Sequence, residues 1–321
     1  MTNAIQVRST GGPEVLEFGE AESASAGPHE LAVEVAAAGV NFIDTYQRGG
    51  VYPMNLPFVP GMEGAGRVIE VGSEVADFLP GDRVCWSQTK GSYAERAVIP
   101  ASDAVRVPED VHDEVAAAIP LQGMTAHYLV ASSYPVQQGD TVLVHAAAGG
   151  VGLLLTQLAK ARGARVLGTV STPDKERLAK EAGADEVYGY SDFAERVRET
   201  TNGEGVAAVY DGVGRTTFDD SLSCVRRRGS LVLFGGSSGQ VPPVDPQRLN
   251  SQGSIFLTRP TLRDYMATRD ELEWRIGELF DAIAAGALQV RIGGRYPLDQ
   301  ARQAHEDLEG RKTTGKLLLL P

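Results

Sequence analysis

Hydrophobic and polar positions follow two different patterns along the chain. Up to about residue 122, short apolar or alternating runs are separated by glycine and proline, which is typical of β-strands joined by tight turns. These runs predict strands at Leu31–Val35, Gly64–Val71, Arg83–Trp86 and Tyr93–Ile99. Helical periodicity then predicts Asp113–Ile119 and Thr125–Ser132. This first part is therefore predicted to be a compact β-rich domain.

From Gly139 onwards the pattern alternates between short buried strands and amphipathic helices. The predicted strands are Val142–His145, Arg165–Val170, Glu186–Tyr188, Val206–Asp211, Ser230–Phe234 and Ser254–Leu257, and the clearest helices are Lys175–Ala182 and Ala194–Thr200. Strands alternating with helices predict a doubly wound parallel sheet with right-handed crossovers. The tail predicts a helix at Arg269–Ala285 and a strand at Lys316–Leu320. We therefore predict an α/β protein in which a Rossmann domain (residues 125–258) is inserted between two parts (1–124 and 259–321) of a β-rich domain.

The stretch Gly139–Lys175 has the order strand, glycine turn, helix, strand that is typical of a dinucleotide-binding unit. A pyrophosphate binds at the start of such a helix, where unpaired N–H groups and the positive end of the helix dipole face it. Glycine leaves room for the phosphates because it has no side chain. The fingerprint positions fall at Ala147, Gly149 and Gly152, so alanine replaces the first glycine. The alternative is a glycine-rich turn that binds nothing.

The end of the second strand indicates which dinucleotide is bound. Sites specific for NAD place an acidic residue about 20 residues beyond the glycine turn, to bind the adenosine ribose. Here the strand ends in Thr169-Val170-Ser171, and Lys175 follows after a plausible helix start at Thr172-Pro173. A hydroxyl and an ammonium suit a 2′-phosphate, so we predict NADPH. The alternative is that Lys175 is an ordinary exposed helix lysine.

Composition excludes several classes of partner and site. The net charge of −12, from 42 acidic and 30 basic residues, argues against nucleic acid as a partner. Two cysteines, Cys85 and Cys224, cannot form a disulfide framework or a four-cysteine zinc site, and their scarcity fits a reducing compartment. The N-terminus lacks an apolar signal-peptide core, and no run approaches 18 apolar residues. We therefore expect a cytoplasmic protein that does not bind a membrane.

Eight short segments, in the same order along the chain, resemble the zinc-independent quinone oxidoreductases of the medium-chain dehydrogenase/reductase superfamily, the zeta-crystallin-like group. They include AAAGVNFIDTYQRGGVYP and HAAAGGVG, and they lie at 36–53, 59–72, 80–84, 121–129, 145–152, 211–214, 257–265 and 311–316. The resemblance implies a GroES-like catalytic domain, a Rossmann domain, NADPH and a homodimer joined partly by sheet edges.

The same resemblance indicates whether the chain has the ligands of a catalytic zinc ion. Zinc-bearing relatives place a cysteine where this chain has Asn41, and a histidine where it has Met62. Amide and thioether groups are poor ligands for Zn²⁺, which prefers thiolate and imidazole. We therefore expect catalysis without a metal ion.

Without a metal, a donor side chain or solvent has to stabilise the oxygen that becomes negative after hydride transfer. The resemblance to enoyl-thioester reductases makes Tyr52 the candidate proton donor, and Asn41, Asp44 and Tyr46 in the same segment are candidates to line the nicotinamide and substrate. Two alternatives stay open. Tyr46 and Tyr52 would then be aromatic residues that only cover the cleft, and Asp44 would only cap the helix that follows.

The resemblance also implies a set of cofactor contacts. Tyr190 and Lys175 would reach the same phosphate, and Arg311 would pair a phosphate or cap the edge of the site. His127 and His145 lie in apolar runs, and we interpret both as core histidines. The complete cofactor set is Asn41, Thr125, Ala148, Gly149, Gly150, Val151, Ser171, Lys175, Tyr190, Val213, Phe234, Gly235 and Arg311.

The predicted activity is NADPH-dependent reduction of a quinone or an α,β-unsaturated carbonyl, which is a small-molecule substrate. One alternative is an enoyl-thioester reductase. The other is a crystallin-like structural or sensor protein that binds NADPH without fast chemistry.

Overall fold

The computed structural model describes residues 1–22 and 24–321. The chain folds into two compact units, the first formed by Met1–Gln122 with Thr268–Pro321 and the second by Gly123–Ala267. The predicted insertion of one domain into another is confirmed. The segment 259–267, which the sequence places with the returning part, belongs to the inserted unit. There the Tyr265 ring stacks on Tyr128 at 4.4 Å, and the Tyr265 hydroxyl accepts a hydrogen bond from Ser133.

The N-terminal part of the first unit supplies most of its strands. They are β1 Thr2–Val7, β2 Leu16–Ala21, β3 Glu30–Val40, β4 Glu63–Val71, β5 Arg83–Ser87, β6 Arg96–Pro100 and β7 Ala104–Arg106. Two helices accompany them, α1 Phe42–Arg48 and α2 Asp113–Ala118, and 3₁₀ turns cover Pro13–Val15 and Ala101–Asp103. Strand β3 alternates buried and exposed side chains over Val33–Ala37, as expected for a strand with one face on a core.

The inserted unit contains the six predicted strands. They are β8 Thr141–Val144, β9 Arg165–Thr169, β10 Glu186–Tyr188, β11 Val206–Asp211, β12 Val225–Leu233 and β13 Phe256–Thr258. The helices are α3 Pro120–Tyr128 (which begins in the first unit), α4 Gly150–Ala161, α5 Pro173–Glu181, α6 Phe193–Thr200, α7 Phe218–Cys224 and α8 Gln247–Ser251. A π-helical turn covers Leu129–Ser133, and a 3₁₀ turn covers Leu262–Tyr265.

All strand pairs of this sheet are parallel, in the order β10-β9-β8-β11-β12-β13. The order reverses between β8 and β11, and such a reversal is where doubly wound sheets bind their ligands. Leu143, Leu167, Val209 and Leu231 form the buried centre of the sheet.

The returning part completes the first unit with α9 Arg269–Ala284, β14 Ile292–Pro297, α10 Ala301–Glu309 and β15 Lys316–Leu320, and with a 3₁₀ turn at Leu298–Gln300. Strand β15 pairs antiparallel with β3 and parallel with β14, so the end of the chain lies inside the larger sheet, ordered β14-β15-β3-β4-β5-β7. Strand β14 and helix α10 were not predicted. The two glycines of β14 and its lack of an apolar run hide the strand pattern. No helix in the described ranges is long and apolar enough to cross a membrane.

Candidate functional site

The glycine turn of the inserted unit is a tight backbone cradle. A Cβ atom at Gly152 would lie 2.2 Å from the carbonyl oxygen of Ala146 and 2.8 Å from the Cα of Ala147, so only glycine fits there. Ala146 itself has a left-handed backbone (φ 50°), which turns the chain between β8 and α4. Gly149 caps the twelve-residue helix α4. The N–H groups of the first turn of α4 are therefore available to an anion beside a backbone that carries only small side chains.

Four residues predicted to contact the cofactor lie on this turn. Ala148 is buried, and Gly149, Gly150 and Val151 are half-buried at the start of α4. The backbone N–H of Ala146 donates to the Tyr190 hydroxyl at 3.1 Å, which ties Tyr190 to the turn. Tyr190 follows β10, which is the edge strand next to β9.

The end of β9 has the helix start that the sequence predicts. Thr172 caps α5 by accepting a hydrogen bond from the backbone N–H of Lys175 at 3.3 Å, and Pro173 occupies the first helical position. Ser171 is exposed and the Lys175 residue is half-buried. Because β9 and β10 are parallel neighbours, Ser171 and Tyr190 follow strand ends on the same edge of the sheet.

A buried carboxylate shapes the loop after β11. Asp211 Oδ1 accepts the backbone N–H groups of Val213 and Gly214 at 2.8 and 2.9 Å. The carbonyl of Asp211 accepts the N–H of Phe234 at 2.9 Å, and a Cβ at Gly235 would lie 2.6 Å from the carbonyl of Gly212. Three predicted contacts, Val213, Phe234 and Gly235, are thus brought together by backbone packing. Thr125, in α3 of the same unit, is buried.

The two histidines are buried, as predicted, with 1% exposure each at His127 and His145. His145 is hydrogen-bonded at both ring nitrogens, to Thr169 at 2.7 Å and to Ser221 at 2.8 Å.

In the first unit, Asn41 and Asp44 hold the start of helix α1. Asp44 Oδ2 accepts the backbone N–H of Asn41 at 2.8 Å, the reciprocal half of a capping box, and the Tyr93 hydroxyl at 2.9 Å. Capping, the alternative given above for Asp44, is therefore present in the structure. Burial raises the pKa of Asp44 to about 7, although the hydrogen bonds from Asn41 and Tyr93 act in the opposite direction.

The side chain of Asn41 is held at both ends by a buried ion pair that the sequence did not reveal. Asn41 Nδ2 donates to Glu63 Oε2 at 2.9 Å, and Asn41 Oδ1 accepts from Lys316 Nζ at 2.8 Å. Lys316 also donates to Glu63, and both charged side chains are at most 1% exposed. A lysine before four leucines resembles the exposed start of a strand. The sequence therefore does not predict this buried ion pair, which follows only from the pairing of β15 with β3.

Tyr46 and Tyr52 form an aromatic pair at the other end of α1. Their rings meet edge to face at 5.8 Å, and the backbone N–H of Tyr52 donates to the carbonyl of Tyr46 at 3.2 Å. Tyr52 is 42% exposed, whereas Tyr46 is half-buried. Arg311, also in the first unit, is exposed after α10 with a left-handed backbone (φ 56°).

Comparisons with known proteins agree with this geometry. Residues 27–109 match the family described as alcohol dehydrogenase GroES-like domain, and residues 150–276 match the zinc-binding dehydrogenase family. A quinone oxidoreductase of Pseudomonas aeruginosa is 46% identical, with 100% of both chains covered. A 2-haloacrylate reductase from a Burkholderia species is 41% identical, with 100% of this chain and 99% of the relative covered. A mycobacterial protein solved in complex with NADPH is 54% identical, with 100% of both chains covered and a TM-score of 0.98.

Proposed function

Because the chain belongs to the quinone oxidoreductase family of the medium-chain dehydrogenase/reductase superfamily, we propose that it catalyses NADPH-dependent hydride transfer to a quinone, without a metal ion. The observation that carries this proposal is the cradle at the start of α4, where a side chain at Gly152 would collide with the backbone of Ala146. A similar protein has been solved with NADPH, and similar proteins are named quinone oxidoreductases.

We assign the cofactor to three groups of residues. The pyrophosphate would lie against the N–H groups at the start of α4, beside Ala148, Gly149, Gly150 and Val151. Ser171, Lys175 and Tyr190 would bind the 2′-phosphate, since no carboxylate at the end of β9 repels it. The remaining assigned contacts of the inserted unit are Thr125, Val213, Phe234 and Gly235.

When bound, NADPH supplies a hydride to the acceptor, and the reduced acceptor then needs a proton. Tyr52 is the assigned donor because its side chain is the exposed member of the aromatic pair. Tyr46 supports the Tyr52 ring by an edge-to-face contact, which fixes where the phenol lies. Asn41 and Asp44 act indirectly, because their polar atoms hold the start of α1 from which Tyr46 extends.

The zinc implied by one matched family does not fit this chain. The amide of Asn41 is already bonded to Lys316 and Glu63, and Met62 accepts a hydrogen bond from Gln47 at 3.3 Å. The Lys316 ammonium would repel a divalent cation at this place. Among residues 1–22 and 24–321, no three His, Cys, Asp or Glu side chains form a metal-binding group.

The first experiment is NADPH oxidation with a panel of quinones and α,β-unsaturated carbonyls, repeated with NADH. We expect quinone turnover with a clear preference for NADPH. Equal or better use of NADH would overturn the cofactor assignment, and NADPH binding without turnover of any acceptor would favour a structural or sensor protein.

A second candidate is the reduction of an activated carbon–carbon double bond, because the Burkholderia relative is named a 2-haloacrylate reductase. Hydride transfer to an alkene carbon leaves an enolate that takes a proton, which is again the role assigned to Tyr52. Including 2-haloacrylates and an enoyl thioester in the panel separates this candidate, and the enoyl-thioester alternative, from quinone reduction.

We also propose a cytoplasmic homodimer joined through β13. This edge strand is only three residues long, and Phe256 on it is 66% exposed, so a second copy could cover it. Light scattering should show a dimer that Phe256→Lys weakens, whereas Leu79→Lys, at an equally exposed position of the other unit, should leave it intact. A monomeric native protein would contradict the dimer, and recovery of the protein outside the cytoplasm on cell fractionation would contradict the location.

A further inference from the structure

We propose that His145 is a positioning residue of the cofactor cradle. As a neutral imidazole with its hydrogen on Nε2, it would link the ends of three adjacent strands through one directed chain of hydrogen bonds. The chain runs from Thr169 to His145, then to Ser221, and ends on Asp211. The cofactor part of this inference rests on the proposed function, whereas the state of the ring does not.

The direction of the chain follows from the hydrogens available. Ser221 Oγ donates its single hydrogen to Asp211 Oδ2 at 2.8 Å, since the same carboxylate also accepts the N–H groups of Val213 and Gly214 and the Thr217 hydroxyl. The contact of 2.8 Å between His145 Nε2 and Ser221 Oγ must then be an N–H donated by the histidine. In a neutral ring Nδ1 is the acceptor, so it accepts from the Thr169 hydroxyl at 2.7 Å. Burial lowers the pKa of His145, which supports the neutral ring, although Asp211 and Asp220 act to raise it.

The linked residues lie where the sheet order reverses. His145 follows β8, Thr169 ends β9 and Asp211 ends β11, which are three neighbouring strands. The carbonyl of Thr169 accepts the N–H of Ala147 in the glycine turn at 3.0 Å. At the other end, Asp211 holds the amides of Val213 and Gly214. One chain of side chains therefore connects the glycine turn with the loop after β11.

Aromatic packing ties the same ring to a third part of the cradle. The His145 ring lies 6.2 Å from the Tyr190 ring at an interplanar angle of 20°, and the Phe193 ring meets it edge-on at 4.8 Å. The position of Tyr190, which receives the Ala146 N–H, thus depends on where the imidazole lies.

This constellation has the residue types of a hydrolytic triad but not its geometry. In such a triad the carboxylate binds the histidine, and the serine oxygen faces the substrate. Here Asp211 binds Ser221 instead, and Ser221 is fully buried. The arrangement therefore orders the backbone and leaves no nucleophile exposed.

The state of the ring can be measured without cofactor by ¹⁵N–¹H correlation NMR on histidine-labelled protein at neutral pH. We expect the Nε2–H form for His145 in the native protein. Asp211→Asn should reverse every bond of the chain, because its amide would donate to Ser221, the serine hydroxyl would donate to Nε2, and the ring hydrogen would move to Nδ1. A native ring that is charged or carries its hydrogen on Nδ1, or an unchanged ring in the Asn variant, would overturn the directed chain.

Ser221→Ala tests the positioning role by removing the middle of the chain, and it also serves if the Asn variant fails to fold. The variant leaves the Nε2–H of His145 without its acceptor inside the buried chain. We expect the dissociation constant for NADPH to rise about fivefold, which corresponds to about 1 kcal/mol. The turnover number at saturating NADPH should stay within about twofold, since the proposed donor lies in the other unit. Ser223→Ala, at a half-buried serine on the same helix that lies outside the chain, is the matched control and should match the native protein.

The function of the protein and the role of His145 are tested by different outcomes of these experiments. A native protein that does not bind NADPH would refute the proposed function and leave the ring state standing. Native binding of NADPH that Ser221→Ala leaves unchanged would refute the positioning role of His145.

Discussion

Replacing Lys316 with methionine would remove one charge from the buried ion pair beside Asn41. Methionine is unbranched and of similar length, so it keeps most of the packing of the lysine side chain. The substitution leaves the Glu63 carboxylate with hydrogen bonds from Asn41 Nδ2 at 2.9 Å and from the backbone N–H of Leu121 at 2.7 Å, but with no opposite charge. It also removes the Lys316 donor from Asn41 Oδ1.

The expected loss of stability is large because neither partner reaches water. The side chains of Lys316 and Glu63 are 1% and 0% exposed. Breaking such a buried pair by removing one partner costs about 3–5 kcal/mol, since an uncompensated charge stays buried. The matched control is Lys312→Met, which breaks a pair with Asp307 of the same unit, where the two side chains are 73% and 22% exposed. That pair is screened by solvent and should be worth about 0–1 kcal/mol.

Urea unfolding followed by tryptophan fluorescence measures this difference in the relevant unit. Both tryptophans, Trp86 and Trp274, lie in the first unit, and Trp86 is only 1% exposed. Combining Lys316→Met with Glu63→Gln should recover most of the loss, because the buried site then holds no charge. A buried charge as the cause of the loss is refuted if Lys316→Met costs no more than Lys312→Met, or if the double variant is as unstable as the single one.

Three further predictions concern the proposed donor, the cofactor and pH. Tyr52→Phe should lower turnover at least tenfold, on the order expected for loss of a proton donor, with NADPH affinity nearly unchanged; native turnover would remove Tyr52 from the mechanism. Lys175→Ala should weaken NADPH about tenfold while leaving NADH binding unaltered, because it removes a cation from the proposed 2′-phosphate site; equal loss for both cofactors in titrations would contradict this. Burial, together with the Arg48 charge, lowers the pKa of His305 to about 3 from its usual 6.5, so its contribution to stability is present above pH 6.5 and is lost as pH falls towards 3. Asp44, with its pKa raised to about 7, changes stability in the opposite direction over part of this range. The contribution of the histidine is therefore measured as the difference in unfolding free energy between the native protein and His305→Gln at each pH. Parallel pH curves for the two proteins would refute this assignment.

The inserted unit was predictable in outline because its strands are buried on both faces. Such strands are short continuous apolar runs. The glycine between β8 and the amphipathic helix α4 indicates the turn that joins them. The requirement at Gly152 could be anticipated from the motif, and the structure gives its cause in the closeness of Ala146. Boundaries were less predictable, as at β12, which begins at Val225 rather than Ser230 because the three arginines 226–228 interrupt its apolar pattern.

The polar cluster of the first unit was not predictable, because its members are distant in sequence. Lys316 and Glu63 are 253 positions apart, and they meet only because β15 pairs with β3, which in turn pairs with β4. The segment 41–52 was recognised as important through resemblance, yet nothing in it predicts that Asn41 is held from both ends. Residues of this kind become visible only when strand pairing is known.

The first unit also contains a directed chain of hydrogen bonds through a buried histidine, formed by different residues from those in the inserted unit. Tyr93 donates its hydrogen to Asp44 at 2.9 Å, so the contact of 3.1 Å between Tyr93 and His305 Nε2 is donated by the histidine. The other nitrogen, Nδ1, then accepts from Arg48 at 2.9 Å. A neutral imidazole is suited to this place because it donates at one end and accepts at the other without burying a charge. Both histidines therefore order the backbone around carboxylates that hold helix and loop starts, and proton donation falls to an exposed group such as Tyr52.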